Sequence, residues 1–132
     1  MSEGGEFKPK HLGKRSSEPV KELDLIPWTG GNIHVVLDCT EFTSFCPVTS
    51  MPDFAEITVE YSPDKSLIET KSMKLYMMGY RDEKEFNEKL VDRLVEDLFK
   101  QVAPRWICVE GKFNVRGGIK VTASAERYKE EE

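Results

Sequence analysis

Eight apolar residues, Phe86, Leu90, Val91, Leu94, Val95, Leu98, Phe99 and Val102, recur at intervals of one, three and four in the C-terminal half. That spacing describes one stripe of an amphipathic α-helix. Asp82, Glu83 and Glu85 place negative charge at its start, and Pro104 ends it. A helix with a single apolar face must bury it against something. The neighbouring segments supply a sheet. "NIHVVLDC" alternates Ile33, Val35 and Leu37 against His34, Val36 and Asp38. "DFAEITVEY" alternates Phe54, Glu56 and Thr58 against Ala55, Ile57, Val59 and Tyr61, and "SPDK" turns the chain. Beyond the helix, "RWICVEGKF" and "IKVTASAERY" flank "NVRGG", whose glycine pair permits the positive φ of a tight hairpin. Between the strand pairs, Leu67, Thr70, Met73, Tyr76, Met77 and Tyr80 predict a first helix over 67–80. The order is ββααββ. It implies an α+β fold, an antiparallel sheet with a helix pair on one face.

A chain of 132 residues suits one domain. Residues 1–20 lack any period and read as a flexible tail, 21–128 as the domain, and 129–132 as a second tail. With 39% hydrophobic and 33% charged residues, the chain has little apolar surface to spare, as a half-covered sheet or a subunit interface requires. The net charge of −5 and the lack of a sustained basic face argue against a direct nucleic-acid partner. No apolar run approaches the roughly twenty residues that span a bilayer. The polar N-terminus is unlike a secretory signal, so a cytoplasmic protein is expected. Three dispersed cysteines, Cys39, Cys46 and Cys108, predict reduced thiols, with no disulfide framework and no metal site.

Of these thiols, Cys39 and Cys108 sit in strand patterns. Cys46 sits in "FTSFCPVTSMPDFAEITVEY", beside one proline and seven residues before Asp53. A thiolate is a strong, soft nucleophile, and a nearby carboxylate can move its proton. A buried loop cysteine with Asp53 at a strand entry is the plainer reading, and spacing alone leaves it the better odds. In "IETKSMKLY", Lys71 and Lys74 are neighbours at i and i+3, able to grip a polyphosphate. With Glu69 they equally describe a solvated face with local ion pairs. Arg116 in "NVRGGI" is a phosphate fork or an ordinary turn residue. Glu88 either favours its helix N-terminus or accepts paired N–H bonds from a guanine-like edge. Met51, Met73, Met77 and Met78 read as core or interface filler.

Three collinear motifs then carry a resemblance: "EFTSFCPVTSMPDFAEITVEY", "IETKSMKLY" and "PRWICVEGKFNVRGGIKVTASAE". Over about Leu23 to Tyr128 the chain resembles the single-module NADPH-dependent 7-cyano-7-deazaguanine reductases, the nitrile reductases of queuosine biosynthesis. The second motif matches their Glu-x-Lys-x-x-Lys-x-aromatic signature, associated with NADPH. The resemblance implies a tunnelling fold, whose ββααββ units join edge to edge into a ring barrel. Two rings stack into a homo-oligomer with active sites between subunits. It implies that Cys46 adds to the nitrile as a thioimide and that Asp53 shuttles protons. NADPH is the implied cofactor, with Lys71 and Lys74 facing its phosphates and Arg116 assisting. Ile68, Glu69 and Thr70 would border the deazaguanine, with Glu88 anchoring its guanine-like edge.

The sequence departs from that family at several points. Asn87-Glu88 stands where the family usually has His-Glu. Asn87 can orient a substrate by hydrogen bonds, but it takes up no proton near neutral pH. "TSMPD" replaces a common Gly-Gln pair, and "YRDEKEF" replaces the usual Phe-Arg-Asn-His-Gly run. Two rivals stand beside the reductase reading. One is an archaeosine-type amidinotransferase acting on the nitrile-bearing base in tRNA, whose family lacks the NADPH signature. The other is a ring-forming deazapurine binder with little turnover.

Overall fold

The computed structural model describes residues 22–45, 52–80, 87–115 and 117–130. The strongest sequence signal holds. Helix α2, Asn87–Val102, buries Leu90, Val91, Leu94, Val95, Leu98 and Val102 along one face. Each large side chain so buried contributes about 1.5–3 kcal/mol of hydrophobic stabilisation. The helix stops where Ala103 takes a left-handed φ of 49°, just before Pro104. Phe86 and the acids Asp82, Glu83 and Glu85 lie outside the described residues.

Under α2 lies a four-stranded antiparallel sheet of β2 (Val35–Phe45), β3 (Pro52–Ser62), β5 (Trp106–Phe113) and β6 (Thr122–Tyr128), in that spatial order. On β3 the expected alternation appears: Ala55, Ile57, Val59 and Tyr61 are buried, while Glu56 is exposed and Thr58 and Glu60 are half-buried. Register sets Val59 opposite Val109 and Ile57 opposite Gly111. A Cβ on Gly111 would stand 2.7 Å from the Phe113 ring and 3.0 Å from Val91 Cγ2, so a glycine there lets α2 approach the sheet. Arg127 on β6 ties strand to helix through Asp92 at 3.0 Å and Glu96 at 3.2 Å. The β5–β6 connection carries Gly117 and Gly118 at φ 57° and 80°, the conformation the glycine pair predicts.

Three expectations need correction. Leu67 and Ile68 are not helical. They belong to β4 (Ser66–Ile68), which pairs antiparallel with β1 (Leu25–Pro27) in a separate two-stranded sheet. Helix α1 runs only from Thr70 to Met78, because Glu69 stays extended at φ −77°, ψ 129° and caps it. Nor does the first strand of the main sheet end with "NIHVVLDC" at Cys39, before "FTSF". Strand β2 continues through it to Phe45, and a bulge between Cys39 and Phe42 sets Thr40 and Glu41 against Glu56 alone. The last strand opens at Thr122 rather than Ile119.

Candidate active site

The start of α1 is built from its own sequence. Glu69 is buried, and its two carboxylate oxygens accept the backbone N–H groups of Lys71 and Ser72, each at 2.8 Å. These are amides that a helix start otherwise leaves unpaired. The Ser72 hydroxyl, fully buried, donates to the Glu69 carbonyl at 2.8 Å and accepts the Asp24 N–H at 2.9 Å. The Asp24 carbonyl in turn accepts the Glu69 N–H at 3.0 Å. Ile68 donates its N–H to the Tyr61 hydroxyl at 2.9 Å. Ile68 and Glu69 are thus placed by the core, while Thr70 and Lys74 are exposed and Lys71 is half-buried.

Beside α1 lies a groove of about 570 Å³, walled by Val36–Thr40 and Phe42 of β2 and by Thr70, Met73, Lys74, Met77 and Met78. That volume falls in the range of small-molecule sites, roughly 300–1,000 Å³. The wall is mostly apolar, with an ammonium and a hydroxyl at one side and Asp38 at the other. Asp38 accepts the Thr58 hydroxyl at 2.9 Å. Met73 and Met77, read as filler, are buried in the core and also border this groove. Cys39 also lines it, yet burial first and then Asp38 push its thiol up from the ordinary range. Burial, followed by Glu126, Glu110 and Glu60, pushes Cys108 the same way. A raised thiol holds less thiolate at neutral pH, so neither is an activated nucleophile.

Cys46 and Arg116 lie outside the described residues. Asp53 is the second residue of β3, and its backbone pairs with Ser44. Asn87 and Glu88 open α2, where an acid suits the helix dipole. Neither is among the residues that line the groove. The Tyr76 hydroxyl donates to Asp97 Oδ2 at 2.6 Å, and Arg93 lies 5.5 Å from the Tyr80 ring centroid. The helices are therefore antiparallel, and Lys74 stands level with the last turns of α2, roughly 16 Å of helical rise from Glu88. The Tyr76–Asp97 contact escaped the sequence reading. Its one signal was a pair of phenol hydroxyls, on Tyr76 and Tyr80, along a face otherwise fit for the core. Among the described residues, no three His, Cys, Asp or Glu side chains are placed to share a metal ion. No described helix is long and apolar enough to cross a membrane.

A family model for QueF-like protein matches residues 52–132. The chain is 40% identical over 121 residues to the NADPH-dependent 7-cyano-7-deazaguanine reductase of Syntrophus aciditrophicus, spanning 87% of this chain and 84% of that one. The chain belongs to the QueF-like family. Proteins of the same name from Anaeromyxobacter dehalogenans and Nitrosomonas europaea are each 41% identical to it. They span 83% and 86% of this chain and 91% and 84% of their own. These matches bear out the resemblance drawn from the three motifs. In three dimensions the QueF-like chain is similar to the apo crystal structure of the archaeosine synthase QueF-Like. The TM-score is 0.64 over 75% of this chain and 95% of that one. At 24% identity this likeness speaks for the fold alone, in keeping with the α+β antiparallel-sheet unit that the ββααββ order implies.

Proposed function

We propose that this QueF-like protein is an oxidoreductase. It reduces the nitrile of 7-cyano-7-deazaguanine to an aminomethyl group, with NADPH as reductant, for queuosine biosynthesis in the cytoplasm. The reductase relatives support the substrate and the cofactor. One structural observation carries the chemistry. Phe45, directly before Cys46, pairs with Pro52, directly before Asp53. That backbone pairing supports assigning Cys46 and Asp53, seven residues apart in sequence, to one site.

In this reading Cys46 Sγ adds to the nitrile carbon, one carbon–nitrogen π bond opens, and Asp53 gives the nitrogen a proton. The product is a thioimide, whose formation divides a difficult reduction into easier steps. Bound NADPH supplies hydride, twice per turnover. Asp53 moves protons again as the carbon–sulfur bond breaks and the thiol is restored. The groove suits a dinucleotide. Lys74 offers a cation for phosphate at its rim, with Lys71 one turn away and Arg116 assigned to assist, and Met73 and Met77 offer apolar walls. Ile68, Glu69 and Thr70 border the base, Glu88 takes its guanine-like edge, and Asn87 orients it.

The rise between Glu88 and Lys74 supports a site shared between subunits. So do the outer edges of β2 and β6, which pair with nothing among the described residues. We therefore assign a homo-oligomer of stacked rings. The groove and chemistry call for no nucleic acid, and the relatives' names favour reduction over amidine transfer to tRNA.

The deciding experiment mixes protein, NADPH and the free nitrile base. Loss of NADPH absorbance with an aminomethyl product identified by mass is expected. Cys46→Ala abolishes both turnover and the covalent adduct seen by intact mass. An adduct-free protein that still binds the base without oxidising NADPH overturns the reading.

A further inference from the structure

Tyr76 is the aromatic that ends the Glu-x-Lys-x-x-Lys-x-aromatic stretch, yet it is 0% exposed and does not line the groove. Its hydroxyl donates to Asp97 Oδ2 at 2.6 Å. That uses its single proton, so the Tyr80 hydroxyl, 2.9 Å away, donates to Tyr76. The same Asp97 oxygen accepts Gln101 Nε2 at 2.9 Å, and Gln101 Oε1 accepts the Leu23 N–H at 2.9 Å. Leu23 precedes Asp24, whose N–H and carbonyl hold Ser72 and Glu69 at the start of α1. A chain of hydrogen bonds thus leaves α1 at Tyr76, crosses α2, and returns to α1 at its cap.

We infer that Asp97 and Tyr76 are positioning residues for the cofactor lysines, a role that rests on the NADPH reading above. Helix α1 has only nine residues, below the roughly 12–15 at which a helix holds itself in water. Its place is therefore set by its surroundings: Met73, Leu75, Tyr76 and Met77 pack into the core, and hydrogen bonds fix its ends. Glu69 and Ser72 anchor one end, next to Lys71. Tyr76 anchors the other, two residues after Lys74. With the second anchor cut, α1 can pivot on its cap, and Lys74 swings more than Lys71 because it lies farther from the cap. Neither anchoring side chain lines the groove, so an effect on the cofactor passes through the helix.

The test measures NADPH affinity directly, by fluorescence titration of wild type, Tyr76→Phe, Asp97→Ala and Asp97→Asn, each with a thermal melt. Tyr76→Phe and Asp97→Ala are expected to weaken NADPH roughly fivefold to tenfold, the scale of one ordinary hydrogen bond. Their affinity for the nitrile base stays within twofold, read by calorimetry in a Cys46→Ala background. Asp97→Asn keeps an oxygen that accepts from Tyr76 and restores NADPH affinity to within twofold. Should Asp97→Ala fail to fold, Tyr76→Phe and Asp97→Asn carry the comparison. Lower melting temperatures with unchanged NADPH affinity overturn the positioning role and leave the reductase reading intact. A wild-type protein that binds no NADPH overturns both.

Discussion

The backbone N–H of Lys71 donates to Oε2 of Glu69 at 2.8 Å, so the acid of the signature holds the first lysine by its main chain. Glu69→Ala removes both acceptors and leaves the Lys71 and Ser72 amides unpaired at a buried helix start. The expected loss is about 1–2 kcal/mol of stability, the usual cost of a deleted cap. Glu69→Gln retains one acceptor oxygen and loses less. Urea unfolding of the two variants checks the ranking.

Gly111 meets Val91 and Phe113 so closely that a methyl group has no room. Gly111→Ala is expected to cost about 1–3 kcal/mol through overpacking. Val91→Ala in the same chain should recover part of that cost, a non-additive pair in denaturant melts. Strict additivity would show that the two positions do not touch.

Because burial and neighbouring acids raise Cys39 and Cys108, both should alkylate slowly near neutral pH. Cys46, as the proposed nucleophile, should react first with iodoacetamide, and the nitrile base should protect it. Peptide mass mapping over a time course distinguishes the three sites. Faster labelling of Cys39 than of Cys46 would contradict the assignment.

Asp64 is bonded to Lys129 and lies 3.4 Å from Arg105, and the Lys129 bond first lowers its carboxyl below the usual 3.8. A carboxyl depressed on folding stabilises the native state above its unfolded value. That contribution is lost as pH falls from about 4 through the lower folded value. Wild type should therefore lose stability over this acid range more steeply than Asp64→Asn. Melting temperatures across acid buffers read the difference, which should vanish below both values.

Asn87 opens α2 beside Glu88. If it orients substrate without proton transfer, Asn87→His should raise turnover where the imidazole is protonated. A pH–rate profile compares the two forms. Equal rates at every pH would show that Asn87 is no handicap.

Much of the fold was readable because its signals are long. The α2 stripe repeats over four turns, the β3 alternation spans seven residues, and Gly117 and Gly118 mark a turn that needs positive φ. β1 and β4, three residues each, are too short for any period to show. Leu67 fell into helical spacing with Thr70 by coincidence, and only the Glu69 cap breaks it. The bulge after Cys39 shifted the phase of β2, which hid its continuation to Phe45. At the site, Lys71 and Lys74 were legible as neighbours on one helix. The link from Tyr76 to Asp97 was not, because residues 21 apart on two helices share no local pattern.

The small β1–β4 ribbon has a consequence for where this protein can be trimmed. Asp24 and the β1 backbone clasp the start of the lysine helix but take no place in the four-stranded sheet. A protease that removed everything ahead of Trp28 would leave the sheet's own strands whole. The lost clasp would instead loosen the rim of the groove, so a clipped preparation could look folded by its circular dichroism and still grip its dinucleotide poorly.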